Sequence, residues 1–172
     1  MKLSIFFMLS LAVFNFKSYG QINSASKLKF DANEMGAAFI KGDFDTFVKY
    51  TYPLVIKSMG GETKLKEIFE NTLKEMQQQK MSFSKITFEE PSEIILSGNE
   101  SQATIAQHSV INYAKGRLVS TTTLIAISID SGNNWTFIDT SNKDIILLRK
   151  ALPNLSHLIY IPQQKPPVKY DY

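Results

Sequence analysis

At Lys80 the spacing of apolar residues changes from the 3.6-residue period of a helix to the two-residue period of a strand, and the strand period persists to Asp139. That switch divides the chain into a helical first half and a strand-rich second half. Helices followed by a run of strands make an α+β domain, with the helices gathered on one face of an antiparallel sheet. With no cysteine there is no disulfide, thiolate metal site, Cys nucleophile or lipid-attached Cys, so stability has to come from a packed core. A hydrophobic fraction of 44% and a charged fraction of 20% are enough to build one.

In the helical half, Leu28, Ala32, Met35 and Phe39 share one face of a helix over residues 27–41, which Gly42 ends. Asp43 caps a short second helix that turns Phe44, Phe47 and Val48 inward, and Pro53 sets a break or a new first turn. Gly60-Gly61 stops that segment. A third helix over 63–80 buries Leu65, Ile68, Phe69, Leu73 and Met76, and its Lys and Glu residues form a solvated face.

The strands fall at 83–89, 93–97, 102–113, 118–129 and 135–139, with turns at Glu90-Pro91-Ser92, Gly98-Asn99-Glu100, Lys115-Gly116 and 131–134. A short helix over 144–152 closes the domain before Pro153. Residues 162–172 hold Pro162, Pro166 and Pro167 and read as an extended tail. The expected architecture is three N-terminal helices packed on a strongly bent antiparallel sheet of four to five strands, followed by a short C-terminal helix. Residues 21–161 form its single domain.

Met1 and Lys2 precede an apolar stretch over 3–16, followed by Ser18-Tyr19-Gly20. This pattern is that of a secretory signal peptide over residues 1–20, and it predicts an exported, periplasmic or secreted product. The apolar stretch is too short for the hydrocarbon core of about 30 Å, so no stable membrane insertion is expected after cleavage. Loss of Lys2 and Lys17 with no acid leaves 17 basic against 16 acidic residues. Without a Lys/Arg stripe interleaved with aromatics, a nucleic-acid partner is not expected.

Several local strings resemble the NTF2-like, cystatin-like cone fold in its exported bacterial form. They are Lys41-Gly42-Asp43-Phe44, Tyr50-Thr51-Tyr52-Pro53, Gly60-Gly61, and the segment Gly132-Asn133-Asn134-Trp135-Thr136-Phe137-Ile138-Asp139. The likeness covers residues 25 to 152 and includes no catalytic signature. It implies a conical pocket between a bent sheet and the helices. Members use that pocket either for isomerase or dehydratase chemistry with an Asp or His base, or for binding.

Two residues are candidate bases. His108 lies mid-strand, where an imidazole titrates near neutrality, and the competing reading is a sheet histidine bonded to a neighbouring strand. Asp139 follows Trp135 and Phe137 on one face of the last strand, and the competing reading is a strand-end Asp bonded to the backbone at 140–142. Their pairing depends on register. A Lys115-Gly116 turn puts His108 opposite Thr123, on the face of Thr121, Ile125 and Ile127. A two-residue turn at Ser131-Gly132 then places Asp139 on the other face, and a three-residue loop places it on the same one.

Tyr50, Tyr52, Tyr113, Trp135 and Phe137 are candidate pocket residues, with core or rim packing as the alternative. His157 has no second ligand at metal spacing, and no phosphate loop, GxSxG or HExxH occurs, so no metal or cofactor is implied. The expected role is non-catalytic binding of a small apolar ligand or a protein partner through the cone or the sheet face. The alternative is a small ketosteroid-isomerase-type isomerase or dehydratase using Asp139 or His108. A homodimer through the sheet face at Ser120-Thr121-Thr122-Thr123 is a third possibility.

Overall fold

The computed structural model describes residues 19–141 and 143–172. The signal peptide expected over residues 1–20 lies almost wholly outside them. Among the described residues no helix is long and apolar enough to cross a membrane.

The chain is α+β. Helix α1 (Tyr19–Lys41) leads into α2 (Phe44–Phe47), a 3₁₀ turn (Val48–Tyr50), α3 (Pro53–Ser58) and α4 (Glu62–Gln78). Strands β1 (Ser82–Phe88), β2 (Ile95–Ser97), β3 (Glu100–Tyr113), β4 (Gly116–Ser128) and β5 (Thr136–Asp139) follow, and α5 (Ile145–Ala151) and β6 (Val168–Asp171) complete the order. The expected three leading helices are therefore four, because Pro53 starts a helix of its own at the position where its missing N–H costs nothing. The expected four to five strands are six, because the end of the Pro-rich tail pairs with β4.

Local chemistry fixes the boundaries. Gly42 turns the chain out of α1 at φ 71°, and the Asp43 carboxylate accepts a hydrogen bond from Thr46 N at 3.1 Å to cap α2. The Thr46 hydroxyl and then its backbone N–H hold the Asp43 carboxyl below its usual range. Asp144 caps α5 by accepting from Ile146 N at 2.7 Å.

The six strands form one antiparallel sheet with β1, β3, β4 and β5 in that order. β2 shares β3's outer edge with β1. Strands β5 and β6 divide the far edge of β4, pairing with residues 124–127 and 116–119. Residues opposite one another in an antiparallel pair share a face. One face therefore carries Ala103, Ile105, Gln107, Ser109 and Ile111 of β3 together with Ser120, Thr122, Leu124 and Ala126 of β4. The other carries Gln102, His108, Thr121, Thr123, Ile125 and Ile127.

Helix α1 covers the first face. Leu28, Ala32 and Met35 pack with Ala103, Ile105, Leu124, Ala126, Trp135 and Phe137 in one buried cluster. Each large apolar side chain sealed there contributes about 1.5–3 kcal/mol relative to exposure. Gly36 lets the helix approach β1 closely, since a Cβ at that position would lie 3.0 Å from both Ile86 and Phe88. Asp31, 2% exposed, ties helix to sheet: it accepts from Lys27 Nζ at 2.5 Å and from Trp135 N at 3.1 Å.

The second face is covered only in part. Leu148, Leu152, Leu155 and Ile159 close over Ile125, Ile127 and Ile138. Buried Gln102 anchors that cover, donating to the Asn154 carbonyl and accepting from Ser156 N. The helical layer has a third cluster of its own, Phe44, Leu65 and Phe69. Ile68, expected to be buried, is 40% exposed, because α4 turns only Leu65 and Phe69 fully inward.

Candidate functional site

Midway along β3 and β4 the inward-facing side chains change character. The end near Trp135 presents Ala103, Ile105 and Ala126, which pack in the buried cluster with α1, and Leu124, which belongs to that cluster and also borders the open space beyond. Beyond it, Gln107 faces Thr122 and Ser109 faces Ser120. These side chains are too short or too polar to fill the distance to the helices, and a cavity of about 330 Å³ remains. Its walls are Phe39, Phe47, Phe83 and Phe137 with Met35, Ile86, Val55 and Leu65. Phe39 holds the aromatic wall together, meeting Phe83 edge-on at 5.0 Å and Phe69 at 5.4 Å.

The floor is hydrogen-bonded only in part. Gln107 Nε2 donates to Ser109 Oγ at 3.3 Å. Among the described residues Thr122 Oγ1 is buried with no hydrogen-bond partner. A hydroxyl left in that condition costs about 1–3 kcal/mol.

Asp139 stands at the mouth as the one exposed residue and the one charged group among those lining the cavity. Its Oδ1 accepts from Ser141 N at 2.7 Å and from Ser141 Oγ at 2.6 Å. This is the strand-end arrangement named as the competing reading of that residue.

His108 is on the other side of the sheet. The hairpin turn is Ala114-Lys115, one residue earlier than expected, so His108 opposes Thr121 rather than Thr123. A shift of two positions preserves the face. The β4–β5 register, with Leu124 opposite Asp139, is the one that a two-residue turn would have set. Asp139 and His108 therefore point away from each other, and no shared dyad exists. His108 Nδ1 lies 2.8 Å from Thr121 Oγ1 and its Nε2 lies 2.7 Å from Glu89 Oε1.

The five aromatic candidates also separate. Phe137 lines the cavity. Trp135 is 1% exposed inside the core, its Nε1 donating to the Gly132 carbonyl at 3.1 Å. Tyr50 packs against the same core, and burial, reinforced by Asp31 and Glu34, raises its phenol above the ordinary value. Tyr52 packs on the other face and lines a groove with Leu147, Leu148 and Leu152. Tyr113 binds the tail, its hydroxyl donating to Asp171 at 2.6 Å.

The cavity residues that sequence reasoning missed are Gln107, Ser109, Ser120 and Thr122. Their signal was parity: they alternate with His108 and Thr121, on the face that carries Ala103, Ile105, Leu124 and Ala126. Ser120-Thr121-Thr122-Thr123, expected as one flat pairing surface, is split between the two faces.

Among the described residues no group of three His, Asp or Glu side chains is arranged to hold a metal ion. No protein-family model matches the chain, and no curated protein or solved structure matches it.

Proposed function

We propose that this chain is an exported, NTF2-like binding domain that holds a small, mainly apolar molecule in the cavity between its helices and its sheet. The observation that carries this reading is the cavity itself, about 330 Å³ between four phenylalanines and a polar floor. Its size and make-up, apolar walls with a few convergent polar groups, are those of small-molecule sites. The order of helices, sheet and closing helix supports the family reading, and the apolar leader over residues 3–16 supports export. A binding role is preferred to catalysis because His108 lies on the far face and Asp139 already accepts two bonds from Ser141.

The test uses the uncharged fluorescent probe 1-naphthylamine, two fused rings with one substituent, on wild type, Ser120→Phe and Thr121→Phe. These neighbours point to opposite faces, so a ring at 120 enters the cavity and a ring at 121 does not. Saturable one-to-one binding that Ser120→Phe abolishes and Thr121→Phe leaves intact is the expected result. Equal effects of the two substitutions, or no saturable binding to wild type, would sink the proposal.

A further inference from the structure

The single charge on the cavity's lining specifies the class of its occupant, an inference that rests on the binding role proposed above. We infer that the ligand is a protonated amine carried on an apolar ring system, with the rings inside the cavity and the ammonium at the mouth against Asp139.

Three observations converge. Asp139 is the one charged residue on the lining, with no Lys, Arg or His beside it there. Among the described residues it also enters no ion pair. A cation at the mouth therefore meets a carboxylate that no lining cation offsets, and an anion meets repulsion. Next, the carboxylate is held in place before any ligand arrives. Its Oδ1 accepts from both Ser141 N and Ser141 Oγ, and Ser141 is itself a lining residue. A group fixed in this way loses little freedom on binding. Finally, Asp139 is exposed whereas the other lining residues are buried or half-buried. An ammonium can reach it while keeping water on its outer side, and so avoids the large cost of carrying a charge in among the phenylalanines.

An uncharged ligand draws nothing from Asp139, and a carboxylate or phosphate is opposed by it. At roughly 30 Å³ for each water-sized group, a cavity of about 330 Å³ takes on the order of eleven non-hydrogen atoms. Two fused aromatic rings are of that size and match the phenylalanine walls, which leaves a methylammonium substituent to project at the mouth.

The experiment is calorimetric titration of the protein at neutral pH with 1-naphthylmethylammonium, 1-naphthylmethanol and 1-naphthoate. It is run in about 0.05 M and about 0.5 M sodium chloride, since salt screens an exposed pair, and repeated on Asp139→Asn. Asparagine keeps the shape of aspartate and removes only the charge. We expect the ammonium to bind wild type most tightly and the naphthoate least. The ratio of ammonium to alcohol affinity should fall about fivefold in Asp139→Asn, as a partly exposed ion pair allows, and should fall in the higher salt as well. Tightest binding of the alcohol or the naphthoate overturns the inference, as does a ratio that Asp139→Asn leaves unchanged. Should that variant fail to fold, the salt series on wild type decides, and a ratio insensitive to salt overturns the inference. Alcohol binding with no preference for the ammonium overturns the inference but leaves the binding role standing. Failure of all three to bind overturns the binding role itself.

Discussion

The C-terminal strand is attached at a place where a single methyl group should remove it. A Cβ on Gly116 would lie 1.9 Å from the carbonyl oxygen of Tyr170 and 2.9 Å from the Tyr113 hydroxyl. The Tyr170 oxygen belongs to backbone, so Gly116→Ala forces β6 to move. Besides its pairing and the Tyr113 hydroxyl bond to Asp171, the strand has little to resist with. All four of its residues are exposed, and it pairs with only four residues of β4. Cross-strand pairs contribute about 0.2–1 kcal/mol each, so four amount to about 1–4 kcal/mol. The Lys169–Asp171 ion pair at 3.0 Å is exposed and adds little. Losing about 2 kcal/mol of local stability raises the detached population about 30-fold.

Limited trypsin digestion reads that population, because cleavage after Lys169 requires β6 to leave the sheet, whereas the bond after Lys165 is protected by Pro166. The expected result is faster cleavage at Lys169 by one to two orders of magnitude, with an unfolding midpoint close to that of wild type. The midpoint holds because no β6 residue belongs to a buried cluster. Alanine is also the better strand former by about 0.5–1 kcal/mol, so any loss at this position has to come from the displaced strand. Unchanged protection of Lys169, or a drop in global stability as large as that from a core deletion, would refute the reasoning.

Two further outcomes follow from buried or hydrogen-bonded carboxylates. Asp31→Ala leaves the buried Trp135 N–H without its acceptor and should cost about 2–4 kcal/mol in urea unfolding, with Asp31→Asn recovering part of the loss; a cost near zero would remove Asp31 as the tie between α1 and the sheet. Asp130, whose pKa is lowered from 3.8 to about 2 by hydrogen bonds from Asn134 and then Ser128, stabilises the folded state above pH 3.8 and loses that contribution as the pH falls toward about 2. The stability gap between wild type and Asp130→Ala should therefore narrow across that interval, and a gap that stays constant down to pH 2 would contradict the assignment.

Much of this fold was written locally. The period switch at Lys80, the glycines at 42, 60 and 61, and the caps Asp43 and Asp144 act through neighbouring residues, and each is found in place. Helix α3, for which Pro53 sets either a break or a new first turn, and strand β6, which reads only as an extended tail, were not settled for a physical reason. Each is short and mostly exposed, and β6 is held by a strand that lies far away in sequence. The face of His108 was legible from the parity of one hairpin. Whether Asp139 shared it depended on the wide loop between β4 and β5. There Asp130 accepts from Asn134 N at 2.9 Å and from Asn134 Nδ2 at 2.6 Å, which fixes the register. No period or propensity specifies that arrangement.

The cavity follows from the same alternation that builds the core. Along β3 and β4 every second residue faces the helices, so core and cavity are two stretches of one stripe. Where the stripe reads Ala103 and Ile105 against Leu124 and Ala126, it meets Leu28, Ala32 and Trp135 and is sealed. Where it reads Gln107 and Ser109 against Thr122 and Ser120, the cavity lies between stripe and helices. Leucine or phenylalanine at Ser109 or Ser120 would extend the core and add stability in the ordinary way, since filling space of this kind is a common route to a more stable protein. Small hydroxyl residues at Ser109, Ser120 and Thr122 leave that volume open instead. A sealed half beside an open half gives the cavity walls fixed by packing, so under the binding role proposed above an occupant would enter without reordering the chain.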